Sequence, residues 1–310
     1  MTIGIAAFGP KSAIGILAGL RAVERVSHGA IGGFVSFAAI YAEGTVLRAT
    51  TQTDGVDAVF PGELPDELAG ATLAGLISSG PDRPEPLEDF IAAEAGVGIV
   101  TGHRMPHLRA ENGTALNALV LEEMKSGTDP QTAVDRVIAQ HADMDAGFIA
   151  CSVDGQIGFG STPLVLARSD QGGGALASSD GTVRVASIHN AVHPHRVTSL
   201  LANEITLDRM LRPEKPVAWV RFSSGPRLLY GPKAEVHVDA SGDLQELRHP
   251  QEKLQTGLWS AGLGDRVGVF FTGQHIGWLG YEPFMIFSEG RVQSIDGKDE
   301  MRVPVYDLVP

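Results

Sequence analysis

GAIGGFVSFAAIYAEGTVLRATTQTDG, residues 29 to 55, holds the clearest hairpin pattern of the sequence. Gly29 closes a preceding helical pattern, and Ile31 to Ile40 then runs almost without polar side chains, as a strand covered on both faces does. Glu43-Gly44 supplies a turn. Thr45 to Thr53 is β-branched and alternating, so it pairs back as the second arm of a hairpin that ends at Asp54-Gly55.

Upstream, Thr2 to Phe8 reads as a short buried strand stopped by Gly9-Pro10. Ser12 to Val26 places Ile14, Leu17, Leu20 and Val23 at helical spacing. Downstream, Pro61 to Pro86 is rich in Pro, Gly and acidic residues and reads as a surface excursion around one short helix, Asp66 to Ile77. Gly96 to Thr101 is another buried strand, followed by the loop Gly102 to Asn112. A helix from Thr114 through Lys125 ends at Gly127, and Thr128-Asp129-Pro130 opens the next, with proline where a helix start tolerates it. Gly147 to Val153 and Gln156 to Gly160 form a second hairpin around Asp154-Gly155. Beyond Gly172-Gly173-Gly174 come a strand, Val183 to Ile188, a histidine-bearing turn and a helix, Arg196 to Leu211. The pattern predicts an α/β (α+β) protein with stacked sheets between helices, a layered αββα sandwich. It reads as one domain over residues 1–310, with a weak boundary near 212–216 before a β-rich C-terminal part.

Composition narrows the function. A formal charge of −13 opposes a phosphate backbone, and no basic stripe interleaved with aromatics offsets it, so nucleic acid is not an expected partner. No run approaches the roughly 18 apolar residues that span a bilayer, and the start lacks a basic secretory flank, so no membrane partner is expected and the expected location is the cytoplasm. The single cysteine, Cys151, excludes an intramolecular disulfide and a thiolate metal cluster. Gly172 to Gly174 lacks the strand–helix setting and the Lys-Ser/Thr of a phosphate loop, and no cofactor is expected. A small-molecule substrate remains as the expected partner, with homo-oligomerisation open.

Residues 29–36 followed by residues 47–55 resemble the core hairpin of N-terminal-nucleophile (Ntn) hydrolases of the asparaginase and isoaspartyl-peptidase type. Residues 101–125, the paired helix after them and Gly147 to Gly160 are similar to small Ntn-hydrolase-like bacterial proteins of uncharacterised activity. The resemblance implies an αββα Ntn-like scaffold and hydrolysis of a small amide or amino-acid-like substrate. In the family a Gly-Thr bond is cut to release a threonine nucleophile. Here Ala30 stands at that place, and alanine can neither self-cleave nor attack.

The remaining nucleophile of this kind is Thr2, whose freed amine would act as general base beside its own hydroxyl. Backbone donors such as those of Thr53 to Gly55 are the expected oxyanion hole. Thr51, Thr53 and Asp54, at a strand end, are expected to bind substrate, together with His103, Arg104 and His107 in a strand-end loop, Arg104 clamping a carboxylate. Two other readings stand beside this one. The chain is a non-catalytic small-molecule-binding protein on the same scaffold, or a metal-dependent hydrolase that gathers an ion at His189, His193 and His195.

Overall fold

The computed structural model describes residues 2–212 and 215–307. The chain divides into two compact units, Met1–Arg212 and Pro213–Pro310. Each is mixed or β-rich in its own way, and the protein as a whole is of the α+β class.

The first unit runs β1 (Thr2–Phe8), α1 (Ser12–Val26), β2 (Val35–Tyr41), β3 (Val46–Thr51), α2 (Gly55–Val59), β4 (Ala71–Ser79), β5 (Ala92–Glu94) and β6 (Gly98–Arg104). It continues with α3 (Leu116–Lys125), α4 (Pro130–Gln140), β7 (Ala146–Ser152), β8 (Ile157–Ser161), α5 (Pro163–Leu166), β9 (Gln171–Ala177), β10 (Arg184–Asn190) and α6 (His195–Leu211). Six strands make one sheet in the order β3-β2-β4-β1-β10-β9, and β5-β6-β7-β8 make another. Every pairing in both is antiparallel.

The hairpin read from the sequence is β2–β3, in register from Val35 opposite Thr51 to Ile40 opposite Val46. Its first arm is interior to the sheet and buried almost throughout, while β3 is an edge strand with one wet face. That difference is why one arm is continuously apolar and the other alternates. Glu24 of α1 anchors the hairpin's end by accepting from Val56 N at 3.0 Å. Burial raises its carboxyl above the ordinary range, and Gly55 leaves the room it occupies, since a Cβ there would lie 2.6 Å from Glu24 Oε2.

Alternation along β1 sorts the layers. Ile3, Ile5 and Ala7 pack with Ile16, Leu17 and Leu20 of α1, while Ala6 packs with Ile99, Ile149 and Cys151 of the four-stranded sheet. The two sheets approach closely because Gly4 meets Gly102, where any side chain would strike the Gly102 carbonyl. Thr101 Oγ1 also donates to the Leu76 carbonyl across this layer at 2.9 Å. On the far face of the smaller sheet, Val100, Phe148 and Ala150 pack against Leu116, Val120, Val134 and Val137 of α3 and α4.

The helix expected over Asp66 to Ile77 is corrected. Only Asp66–Gly70 turns, as a short 3-10 segment, and Ala71–Ser79 is a strand between β1 and β2. Alanine and leucine favour helix in isolation, but a strand buried on both faces shows no period of two, and pairing on both edges outweighs propensity. Gly75 belongs to this strand for a packing reason: a Cβ there would lie 2.7 Å from Ile99 Cγ2.

The second unit holds β11 (Ala218–Ser223), β12 (Arg227–Tyr230), β13 (Glu235–Val238), β14 (Leu244–His249), β15 (Leu258–Ala261), β16 (Gly268–Phe271), β17 (Gln274–Leu279), β18 (Met285–Ser288), β19 (Arg291–Ile295) and β20 (Glu300–Tyr306). All belong to one sheet around a core that includes Phe222, Val236, Leu247, Phe287 and Val303. Among the described residues, no helix of the protein is long and apolar enough to cross a membrane.

Candidate active site

Register places three polar side chains in one row at the end of the large sheet. Thr2 of β1 lies opposite Ser79 of β4 on one side and Asn190 of β10 on the other. By alternation all three share the face that carries Ala6, Ile77 and Ile188, which is turned toward the smaller sheet. The smaller sheet answers with a row of its own: His103 of β6 lies opposite Gly147 of β7, and Gly147 opposite Ser161 of β8. Elsewhere this layer is packed with apolar side chains, so the concentration of polar groups at one end is a local departure.

Thr2 is 3% exposed, and its Oγ1 donates to Asn190 Oδ1 at 3.0 Å while accepting the Arg104 backbone N–H at 2.8 Å. Arg104 can direct that N–H because it adopts a left-handed conformation, φ 63°, at the end of β6. Its guanidinium forms a two-pronged pair with Asp145, Nε to Oδ1 at 2.7 Å and a second bond from the terminal nitrogen to Oδ2. The paired guanidinium holds the Asp145 carboxyl below the ordinary range. Met105 N also donates to the Asp145 carbonyl, so the bend after β6 is tied to the start of β7 at two levels.

His103 is fully buried, with Nε2 2.9 Å from Ser161 Oγ. Burial drives its pKa down to about 3, so the ring is neutral across the physiological range. Gly147 is the reason the ring fits, because a Cβ at that position would overlap it. Among the described residues, neither His103 Nδ1 nor Asn190 Nδ2 has a hydrogen-bond partner. Buried polar groups left in that condition cost on the order of 1–3 kcal/mol each, which a bound polar group would recover. Beside the row, Arg83 donates to Ser79 Oγ at 2.6 Å and lies over the Phe34 ring, 5.2 Å from its centroid.

The structure thus brings together Thr2, His103 and Arg104 from the expected set. Arg104 serves through its backbone, since its charge is taken by Asp145 rather than left to clamp a substrate carboxylate. Thr51, Thr53 and Asp54 fall elsewhere. Thr51 lies opposite Val35, on the face that packs toward α1, and its hydroxyl is taken by the Thr53 carbonyl at 2.8 Å. Thr53 Oγ1 donates to Asp54 Oδ2 at 2.9 Å, and both residues are exposed. Of the expected oxyanion donors, Gly55 N is occupied, bonding the Gly33 carbonyl at 2.9 Å. His107 packs on Phe90, ring centroids 3.9 Å apart, and burial lowers its pKa.

The three histidines at the end of β10 and the start of α6 do not share an ion site. His189 spends both ring nitrogens on α6, one near Ser199 Oγ and one near the His195 carbonyl. His193 and His195 stand with ring centroids 5.7 Å apart. Among the described residues no group of three or more His, Cys, Asp or Glu side chains could hold a metal ion. Cys151 is buried, and burial pushes its thiol well up, which suits a packing role.

Sequence reasoning missed Asn190, Asp145 and Ser161. Asn190 ends a buried apolar strand at the residue that pairs with Thr2, which is a signal once the pairing is known but not before.

Residues 2–219 match the family described as Domain of unknown function (DUF6963), and residues 225–300 match a second, Domain of unknown function (DUF7259). No curated protein matches the sequence.

Proposed function

The chain belongs to the family of the Domain of unknown function (DUF6963), which covers more than two thirds of it, and we propose, on the geometry around Thr2, that it is an Ntn-type amidohydrolase acting on a small amide or amino-acid-like substrate. In this reading the stacked sheets with helices outside are an αββα, Ntn-like sandwich. Its nucleophile is Thr2. The observation that carries the proposal is the Thr2 hydroxyl itself: buried at the start of an interior strand and bonded to the Arg104 N–H and the Asn190 side chain.

Removal of Met1 would free the Thr2 amine to take the Oγ1 proton as the hydroxyl attacks the amide carbon. The Arg104 N–H, 2.8 Å from Oγ1, would hold that oxygen in place while it gives up its proton. The amide nitrogen leaves with the proton, and water releases the acyl group from Oγ1. Asn190 Nδ2 and His103 Nδ1, without partners among the described residues, are the groups that would hold the polar atoms of the substrate. Arg83 beside Ser79 supplies positive charge at the same end of the sheet, suited to a substrate carboxylate. A panel of small amides and amino-acid amides assayed with the protein, Thr2→Ala and Thr2→Ser tests this. Turnover lost in Thr2→Ala and retained in part by Thr2→Ser supports the reading, and equal turnover in all three sinks it.

The second reading, a small-molecule-binding protein without catalysis, is favoured by a cavity in the C-terminal unit. It measures about 690 Å³ and is lined by Val220, Val238, Phe271 and Ile276 with Arg221 and Arg302. A volume of that order suits a small ligand, and the wall is mixed, with Asp239 and Asp243 beside the arginines and Arg221 paired to Asp243. Thermal shifts with small carboxylates that Phe271→Asp removes, without turnover of any compound, would favour this reading.

A further inference from the structure

His189 precedes Asn190 on β10 and therefore serves the opposite face of the sheet, the one that α6 covers. Its Nε2 lies 3.0 Å from the His195 carbonyl oxygen. A carbonyl only accepts, so Nε2 carries the ring proton and Nδ1 presents its lone pair. Ser199 Oγ is 2.7 Å from Nδ1, and the hydroxyl must be the donor. Ser199 is thus engaged with an imidazole base whose tautomer is fixed by a third group, the arrangement that activates a serine hydroxyl. Ser187 Oγ, donating to the Ser199 carbonyl at 3.2 Å, ties the same turn of α6 to β10.

Ser199 also lines a cavity of about 240 Å³ between β9 and α6, with Gly172, Gly174, Arg196 and Asn203. The glycines make it. A Cβ on Gly172 would come within 2.6 Å of His189 Cε1 and 2.8 Å of the His195 carbonyl, while a Cβ on Gly174 would meet nothing within 4 Å. Asn203 donates to the Gly174 carbonyl at 2.9 Å and, among the described residues, leaves its buried Oδ1 without a partner. Arg196 is exposed beside the positive end of the α6 dipole, so the rim favours developing negative charge. A cavity of about 240 Å³ suits a short-chain occupant.

We propose that Ser199, with His189 as its base, is a second nucleophilic site in this protein and accepts short-chain acyl esters. Ser199 Oγ attacks the ester carbonyl carbon and passes its proton to His189 Nδ1. The carbonyl–alkoxy bond then breaks, the alcohol leaves with that proton, and water regenerates the hydroxyl while releasing the acid. This site stands on the other face of the sheet from Thr2 and does not depend on the amidohydrolase reading.

The test is a small alkyl fluorophosphonate reacted with the full-length protein, followed by peptide mapping of the adduct. Phosphonylation joins Ser199 Oγ to phosphorus and expels fluoride. The expected result is an adduct on Ser199, absent from that peptide in Ser199→Ala and formed at least tenfold more slowly in His189→Gln. Folded wild-type protein that takes no label at Ser199, or His189→Gln labelled at the wild-type rate, would overturn the proposal. The wild-type measurement is decisive whether or not either variant folds.

Discussion

Consecutive residues on β10 serve two unlike places: Asn190 faces the layer between the sheets, and His189 faces α6. At the first, Thr2 is bonded on two sides, yet Asn190 Nδ2 and His103 Nδ1 have no partner among the described residues. At the second, both nitrogens of His189 are satisfied, and the adjoining serine reaches a cavity. Alternation along one strand thus divides its work between two faces. A polar group with unspent hydrogen bonds in a closed layer waits for something to complete it, whereas a completed pair beside open space is ready to act on what enters.

The largest effect separating the two is expected from Thr2→Ala. Amide turnover should fall by at least about a thousandfold, as loss of a nucleophile does, while Thr2→Ser keeps part of it. Steady-state assays of the amide panel measure it.

Next come the glycines under each histidine. Gly147→Ala pushes a methyl into the His103 ring, and Gly172→Ala brings one to 2.6 Å from His189 Cε1. Each should cost about 1–3 kcal/mol by overpacking, with Gly147→Ala the worse because it lies between two strands of a buried sheet. Denaturant unfolding reads the difference.

A third effect is the response to acid. His103 and His189 titrate at about 3 and about 4 in the folded protein, both lowered chiefly by burial. Unfolded imidazoles take up protons near pH 6.5, so between that value and the folded pKa the unfolded chain holds more protons. The stability these neutral rings contribute is full above about pH 6.5 and is lost as the pH falls toward 3. Thermal unfolding from pH 7 down to 4 should show it, and His103→Gln should make the slope shallower than His189→Gln does.

The smallest effect is expected at the Arg104–Asp145 pair, whose side chains are about a quarter exposed. Asp145→Asn should cost about 1 kcal/mol in urea unfolding, a value typical of a well-formed but partly hydrated pair.

Much of the scaffold was legible in the sequence because its signals were local. The β2–β3 arms, the proline-started α4 and the β7–β8 hairpin each carry their own turn or cap. β4 was not legible: its apolar run has no period, and only pairing with β1 and β2 makes it a strand. The site was half legible. Thr2, His103 and Arg104 stood out by residue type, but Asn190 joins Thr2 across 188 positions of sequence, and Asp145 joins Arg104 across 41. The threonines at the end of β3 stood out equally and were spent on their own turn. Local hydrogen bonding of that kind leaves no trace in composition that distinguishes it from substrate binding.

In the proposed reading the Thr2 hydroxyl, with its own freed amine, is the nucleophile between the sheets. Intact-mass spectrometry of the turnover-competent protein, after quenching with an amide substrate bound, tests it most directly. The expected result is a chain without Met1 carrying the acyl group on residue 2. Full turnover by a chain that retains Met1 would contradict it.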